Sequence, residues 1–192
     1  VQSSVNSFDH VLVEGNSAAA NADPLVYDMM AAFYTACSSF IAQNFGARKK
    51  KRILQTYLIC LFYSFITSLV LGVGIYLARY PFLYLFTSDK AVVEAGITRL
   101  SIMALSYSAS AFMDASIAAS RGLGKTAVPT FVVVMGSCVF RIIWIYTIFA
   151  YFHTIQSLYI LYVFSWGITA IAENIYFFHV YRHTLTEKKE LC

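Results

Sequence analysis

Apolar residues run in long blocks along this chain, without the period-two alternation of half-buried strands or the one-sided stripe of a surface helix. A helix needs roughly 20 apolar residues to cross a hydrocarbon core about 30 Å thick. Five stretches meet that length, at Ala22–Asn44, Ile53–Ala78, Thr98–Ser120, Val128–Ala150 and Leu158–Tyr181. Ile53–Ala78 has almost no polar face, which argues against a large water-soluble helical core. Val1–Val13 would be only about 20 Å long as a helix and reads as the back end of a sixth span. The pattern therefore predicts an all-α, polytopic membrane protein with five complete spans, forming one transmembrane domain over residues 1–192.

Charge adds orientation. Arg48, Lys49, Lys50, Lys51 and Arg52 follow one another between two apolar blocks, and five consecutive cations cannot lie in hydrocarbon. With Arg121, Lys125, Arg182, Lys188 and Lys189 they place ten of the chain's 14 cations on one side. Arg79, Lys90 and Arg99 fall on the other side, offset by Asp89 and Glu94, and Arg141 lies inside a span. The positive-inside rule assigns the basic side, with a tail over 182–192, to the cytoplasm of a cell inner membrane. Pro81–Phe86 is apolar but too short to span, so an interfacial segment is expected, followed by a helix capped at Ser88-Asp89-Lys90.

The chain is 59% hydrophobic and 12% charged, about half the usual charged share of a soluble domain. A net charge of +4, concentrated in the loops, labels topology and gives no reason to expect nucleic acid as a partner. The expected surroundings are the lipid bilayer. Cys37, Cys60, Cys138 and Cys192 lack paired spacing, and His10, His153, His179 and His183 are dispersed, so no disulfide framework, metal site or cofactor is expected. The chain begins with Val1 and shows no signal peptide, as expected of a piece of a longer protein.

Arg121-Gly122-Leu123-Gly124-Lys125-Thr126 fails as a phosphate loop, because Ala119 stands where the first glycine belongs and an apolar helix precedes it. The glycines suit a tight hairpin, with Pro129 in the first turn of the next helix. Nothing arranges a nucleophile with a base, so no enzyme is expected. Four ionisable residues lie within spans: Asp28, Asp114, Arg141 and Glu173. Such groups are expensive in hydrocarbon and face a cavity or a partner. Counted from the basic helix ends, Asp114, Glu173 and Arg141 lie about 10, 14 and 18 Å deep. An Arg141–Glu173 pair would hold two helices together. Tyr107, Ser110, Asp114 and Arg121 share one helical face, and Asn21, Asp28, Thr35 and Ser39 another, as expected for walls of a water-filled cavity.

Gly15-Asn16-Ser17-Ala18-Ala19-Ala20-Asn21, Gln43-Asn44-Phe45-Gly46-Ala47, Arg121-Gly122-Leu123-Gly124-Lys125-Thr126 with Pro129, and Phe140-Arg141-Ile142-Ile143-Trp144 together resemble the multidrug and toxic compound extrusion (MATE) transporters. Asp114, seven residues before Arg121, fits one bacterial branch. The resemblance covers the whole length and implies the second six-helix lobe of a twelve-helix transporter, begun partway through its first helix. It implies a secondary antiporter exporting small amphipathic or cationic compounds in exchange for protons or sodium, with a first lobe supplied elsewhere. On that reading Asp114 is the coupling or substrate carboxylate, with sodium as one candidate ligand, Tyr107 and Ser110 line its site, and Asp28 is second. Two other readings keep the helices: a flippase for lipid-linked sugars of the same superfamily, and a membrane piece that does not transport.

Overall fold

The computed structural model describes Val5 and residues 8–187, and among these all regular structure is helical. The helices are α1 (His10–Ala20), α2 (Ala22–Gly46), α3 (Lys50–Leu77), α4 (Arg79–Tyr84), α5 (Lys90–Gly122), α6 (Ala127–Phe152) and α7 (Ile155–Glu187). α6 is a composite, with π turns at Met135–Val139 and Ile145–Phe149 on either side of Phe140–Trp144. α3, α6, α7 and the combined α1–α2 rod are each long and apolar enough to cross a membrane. α5 makes a fifth span when its halves, Lys90–Ala104 and Ser106–Gly122, bent by 42°, are taken together.

Two boundaries differ from expectation. His10–Val13 open α1, which runs on into α2 as one helix of 37 residues, so they are not the end of a separate span. Asn21 stays in the right-handed helical region and donates its side-chain amide to the carbonyls of Ser17 and Ala18, so the helix does not break there. The rest of the anticipated sixth span, residues 1–4 and 6–7, lies outside the described residues, as do Lys188 and Lys189. α5 begins at Lys90, where Asp89 accepts a hydrogen bond from Ala91 N at 2.8 Å, so the span expected from Thr98 gains two turns.

α5 is the centre of the bundle, packed by α1, α2, α3 and α7. α6 rests mainly on α7, and no residue of its most apolar stretch is fully buried. Large apolar side chains face outward as well as inward, and small polar ones are packed inside. Leu77, Tyr146, Tyr151 and Ile175 are exposed, while Ser64, Ser68, Ser106, Ser110, Ser116, Ser165 and Thr169 are buried. In lipid, close approach of small side chains and hydrogen bonds drive helix association, because apolar surface gains little by leaving hydrocarbon. Gly15 and Gly96 show this at the α1–α5 crossing: a Cβ on Gly15 would lie 2.7 Å from Gly96 N.

The hairpin turns follow the sequence. Gly124 takes φ +78°, a region that costs glycine nothing, and Pro129 sits in the first turn of α6. Arg48, at φ 56°, turns the chain between α2 and α3. The basic ends of α2, α3, α5 and α7 share a core of Ile41, Ile53, Tyr57, Ala118 and Phe177. At the far end α4 lays Leu83 against Ala18, Ala22 and Leu100.

Candidate functional site

α2 and α5 carry the polar residues that matter, at two levels. Near the far end, Asp23 receives the Arg99 guanidinium at 2.5 Å and the hydroxyl of Tyr107. Arg99 is 8% exposed, and its other terminal nitrogen donates to Asn16 O at 2.9 Å, which ties α1 into the same node. Ser110 donates to the Tyr107 carbonyl at 2.9 Å. Every formal charge here has a bonded partner of opposite sign, as a buried ion pair requires in order to persist.

Asp114 lies fifteen residues beyond Arg99 on α5, about 22 Å toward the basic end. It lines a cleft of about 280 Å³ with Tyr27, Met30, Ala31, Tyr34 and Thr35 of α2. Asp114 forms no ion pair; among the described residues the ion pairs are Asp23–Arg99 and His10–Glu14. The Tyr34 hydroxyl is buried without a hydrogen-bond partner, and the Arg121 guanidinium lies 5.8 Å from the Tyr34 ring. Above the cleft, Tyr27 meets Tyr107 and Trp166 edge-on at 5.9 and 6.2 Å, and Tyr162 meets Trp166 at 5.7 Å. A carboxylate without a bonded cation, beside aromatic faces, is a receptor for a positive charge.

The expected residues divide accordingly. Asp114 and Thr35 are brought together in the cleft. Tyr107 and Ser110 are buried and do not line it: Tyr107 bonds Asp23, whereas the Ser110 hydroxyl lies 3.8 Å from the sulfur of the cleft residue Met30. Asp28 is exposed two turns from Thr35 on the same face of α2, outside the cleft lining. Arg141 and Glu173 do not pair. Arg141 donates Nε to Ser165 at 3.2 Å and lies over the Tyr162 ring at 4.3 Å. Glu173 is two helical turns past Ser165 on α7, fully buried, with neither oxygen hydrogen-bonded. Among the described residues the ion pair with a buried member is Asp23–Arg99. Its signal lay in Asp23, inside an apolar block, and in the Asp89 cap, which puts Arg99 in helix rather than loop.

Among the described residues, no group of three or more His, Cys, Asp or Glu side chains could hold a metal ion.

The MatE family profile matches residues 2–147. The chain belongs to the MatE family. The crystal structure of the Vibrio cholerae MATE transporter VcmN in its bent form aligns with 94% of this chain, with a TM-score of 0.83 and 19% identity. An Asp-to-Asn mutant of VcmN aligns equally well, with the same score, identity and coverage. The likeness is one of fold, and this MatE chain spans 41% of the length of the transporter it matches. No curated protein matches it. The chain is a multi-pass membrane protein of that family.

Proposed function

We propose that this chain is one lobe of a secondary antiporter that exports small organic cations or amphipathic drugs in exchange for protons or sodium. The observation that carries the proposal is Asp114, half-buried in a cleft walled by Tyr27 and Tyr34 and free of any ion pair. An incoming ion and an outgoing organic cation would compete for this one carboxylate, and that competition is exchange. The aromatic faces add attraction for a desolvated cation of about 2 kcal/mol. α2 also presents Asn21, Asp28, Thr35 and Ser39 on an exposed stripe, a costly face to turn toward lipid. A second six-helix lobe, on the same or a separate chain, would cover that stripe and complete the cavity. The two lobes would rock to expose it alternately.

The basic ends lie on the cytoplasmic side of the cell inner membrane in this proposal, by the positive-inside rule. A lipid-linked-sugar flippase would need several cations in the cavity, and Arg141 is already engaged by Tyr162 and Ser165. The test is efflux of a fluorescent cation from everted vesicles carrying the full two-lobe protein or its Asp114→Asn variant. The variant should insert normally and lose ion-driven transport; undiminished efflux would remove Asp114 from the mechanism.

A further inference from the structure

Away from the Asp114 cleft, on the opposite side of α5, α3 and α7 part to leave an apolar groove of about 560 Å³. Phe65, Phe112, Gly167, Ile171 and Ile175 line it. Its polar lining residues are Ser108 and Asn174, and Asn174 accepts from the Tyr57 hydroxyl at 2.6 Å and donates to Ala170 O at 2.8 Å. The groove is therefore dry in character. It offers no charged side chain to anchor a polar molecule.

The same two helices close together at the basic end. Tyr181 donates its hydroxyl to Lys50 O at 3.4 Å, Lys50 Nζ donates to Arg182 O at 3.5 Å, and the ammonium lies 5.2 Å from the Tyr181 ring centroid. This clasp fixes the start of α3 against α7. It leaves Arg48, Lys49, Lys51 and Arg52 exposed, and none of the four pairs with an acid among the described residues. Ile175 lies seven residues before Arg182 and Gly167 fifteen before it, so the groove runs from about 10 to 22 Å below the clasp. One leaflet of hydrocarbon is about 15 Å deep. A headgroup held at the cation cluster would thus lead an acyl chain into the groove.

We propose that this α3–α7 face is a specific site for an anionic phospholipid of the leaflet nearest the basic loop. Its phosphate would lie among Lys49, Lys51 and Arg52, and one acyl chain would lie over Phe112 between Phe65 and Ile171. Charge complementarity selects the headgroup, and the groove converts diffuse surface attraction into a defined position. The site is independent of the transport reading, because none of its residues touches the Asp114 cleft.

The test reconstitutes the protein in phosphatidylcholine nanodiscs with and without phosphatidylglycerol and counts the lipid retained by native mass spectrometry. Retained phosphatidylglycerol and a raised melting temperature are expected. The triple variant Lys49→Gln, Lys51→Gln, Arg52→Gln should weaken retention on the order of a hundredfold, from the known attraction of each cation to an anionic surface. Gly167→Phe keeps every charge and fills the groove, and a Cβ there meets nothing within 4 Å, so it should fold and lose the lipid. Retention by the triple variant would overturn the proposal. So would retention by Gly167→Phe, which would leave only diffuse surface attraction. Displacement by inorganic phosphate as readily as by the lipid would assign the cluster to free phosphate and overturn it equally.

Discussion

α2 and α5 meet at two carboxylates that have opposite fates. Asp23 is neutralised inside the protein by Arg99 and bonded by Tyr107. Asp114 has carboxylate chemistry of the same kind, the same two helices around it, and no ion-pair partner. A carboxylate whose counter-charge is built in cannot exchange it without the helices coming apart, so Asp23 is a clamp. A carboxylate without a built-in counter-charge, set in a cleft, is able to take a proton or a cation from outside. Burial and helix position alone do not separate the two; the nearest guanidinium does.

The sharpest way to break the comparison is to neutralise each acid in turn. Asp114→Asn should abolish ion-coupled efflux while leaving thermal stability in detergent nearly unchanged. Asp23→Asn should do the reverse in stability, costing about 3–5 kcal/mol because Arg99 is left buried and unpaired. The double variant Asp23→Asn with Arg99→Met should recover a large part of that loss, read as a higher unfolding midpoint than the Asp23→Asn single variant; equal midpoints would show that the pair is not coupled. Tyr107→Phe removes one hydrogen bond to Asp23 and should cost about 1–3 kcal/mol with transport intact. If transport falls as well, Tyr107 belongs to the cavity after all. Glu173→Leu should change stability least, with a gain on the order of 1 kcal/mol, because a buried carboxyl without hydrogen-bond partners is replaced by hydrocarbon. A clear loss would mean that Glu173 has a bonded partner beyond this chain's own side chains.

The spans were legible because hydrocarbon imposes a length and forbids charge, and both constraints are local in sequence. Ile53–Ala78 and Val128–Ala150 were read to within three residues of α3 and α6. Asp114 was legible for the same reason, as an acid within an apolar block. Arg99 was not, since counting hydropathy from Thr98 hid the two helical turns that start at the Asp89 cap. Pairing was the least legible property. Depth placed Arg141 and Glu173 within a few ångströms of one level, but depth says nothing of azimuth, and on α7 the residue facing Arg141 is Ser165. Tyr27, Tyr34 and Trp166 went unremarked because aromatic residues are common throughout a chain of 17% aromatics, so their convergence carries no local mark.

The two π turns of α6 have a consequence for how this helix can change over generations. Each holds a wider turn than the α-helix around it, and Arg141 stands between them. Removing one residue from Met135–Val139 would let that turn relax to ordinary α geometry with little loss of backbone bonding. It would also swing everything downstream by about 100°. Arg141 would leave Tyr162 and Ser165 and point to another quarter of the bundle. A single-codon deletion is thus a route by which a transporter of this build could relocate an intramembrane cation without substituting any of the residues that remain.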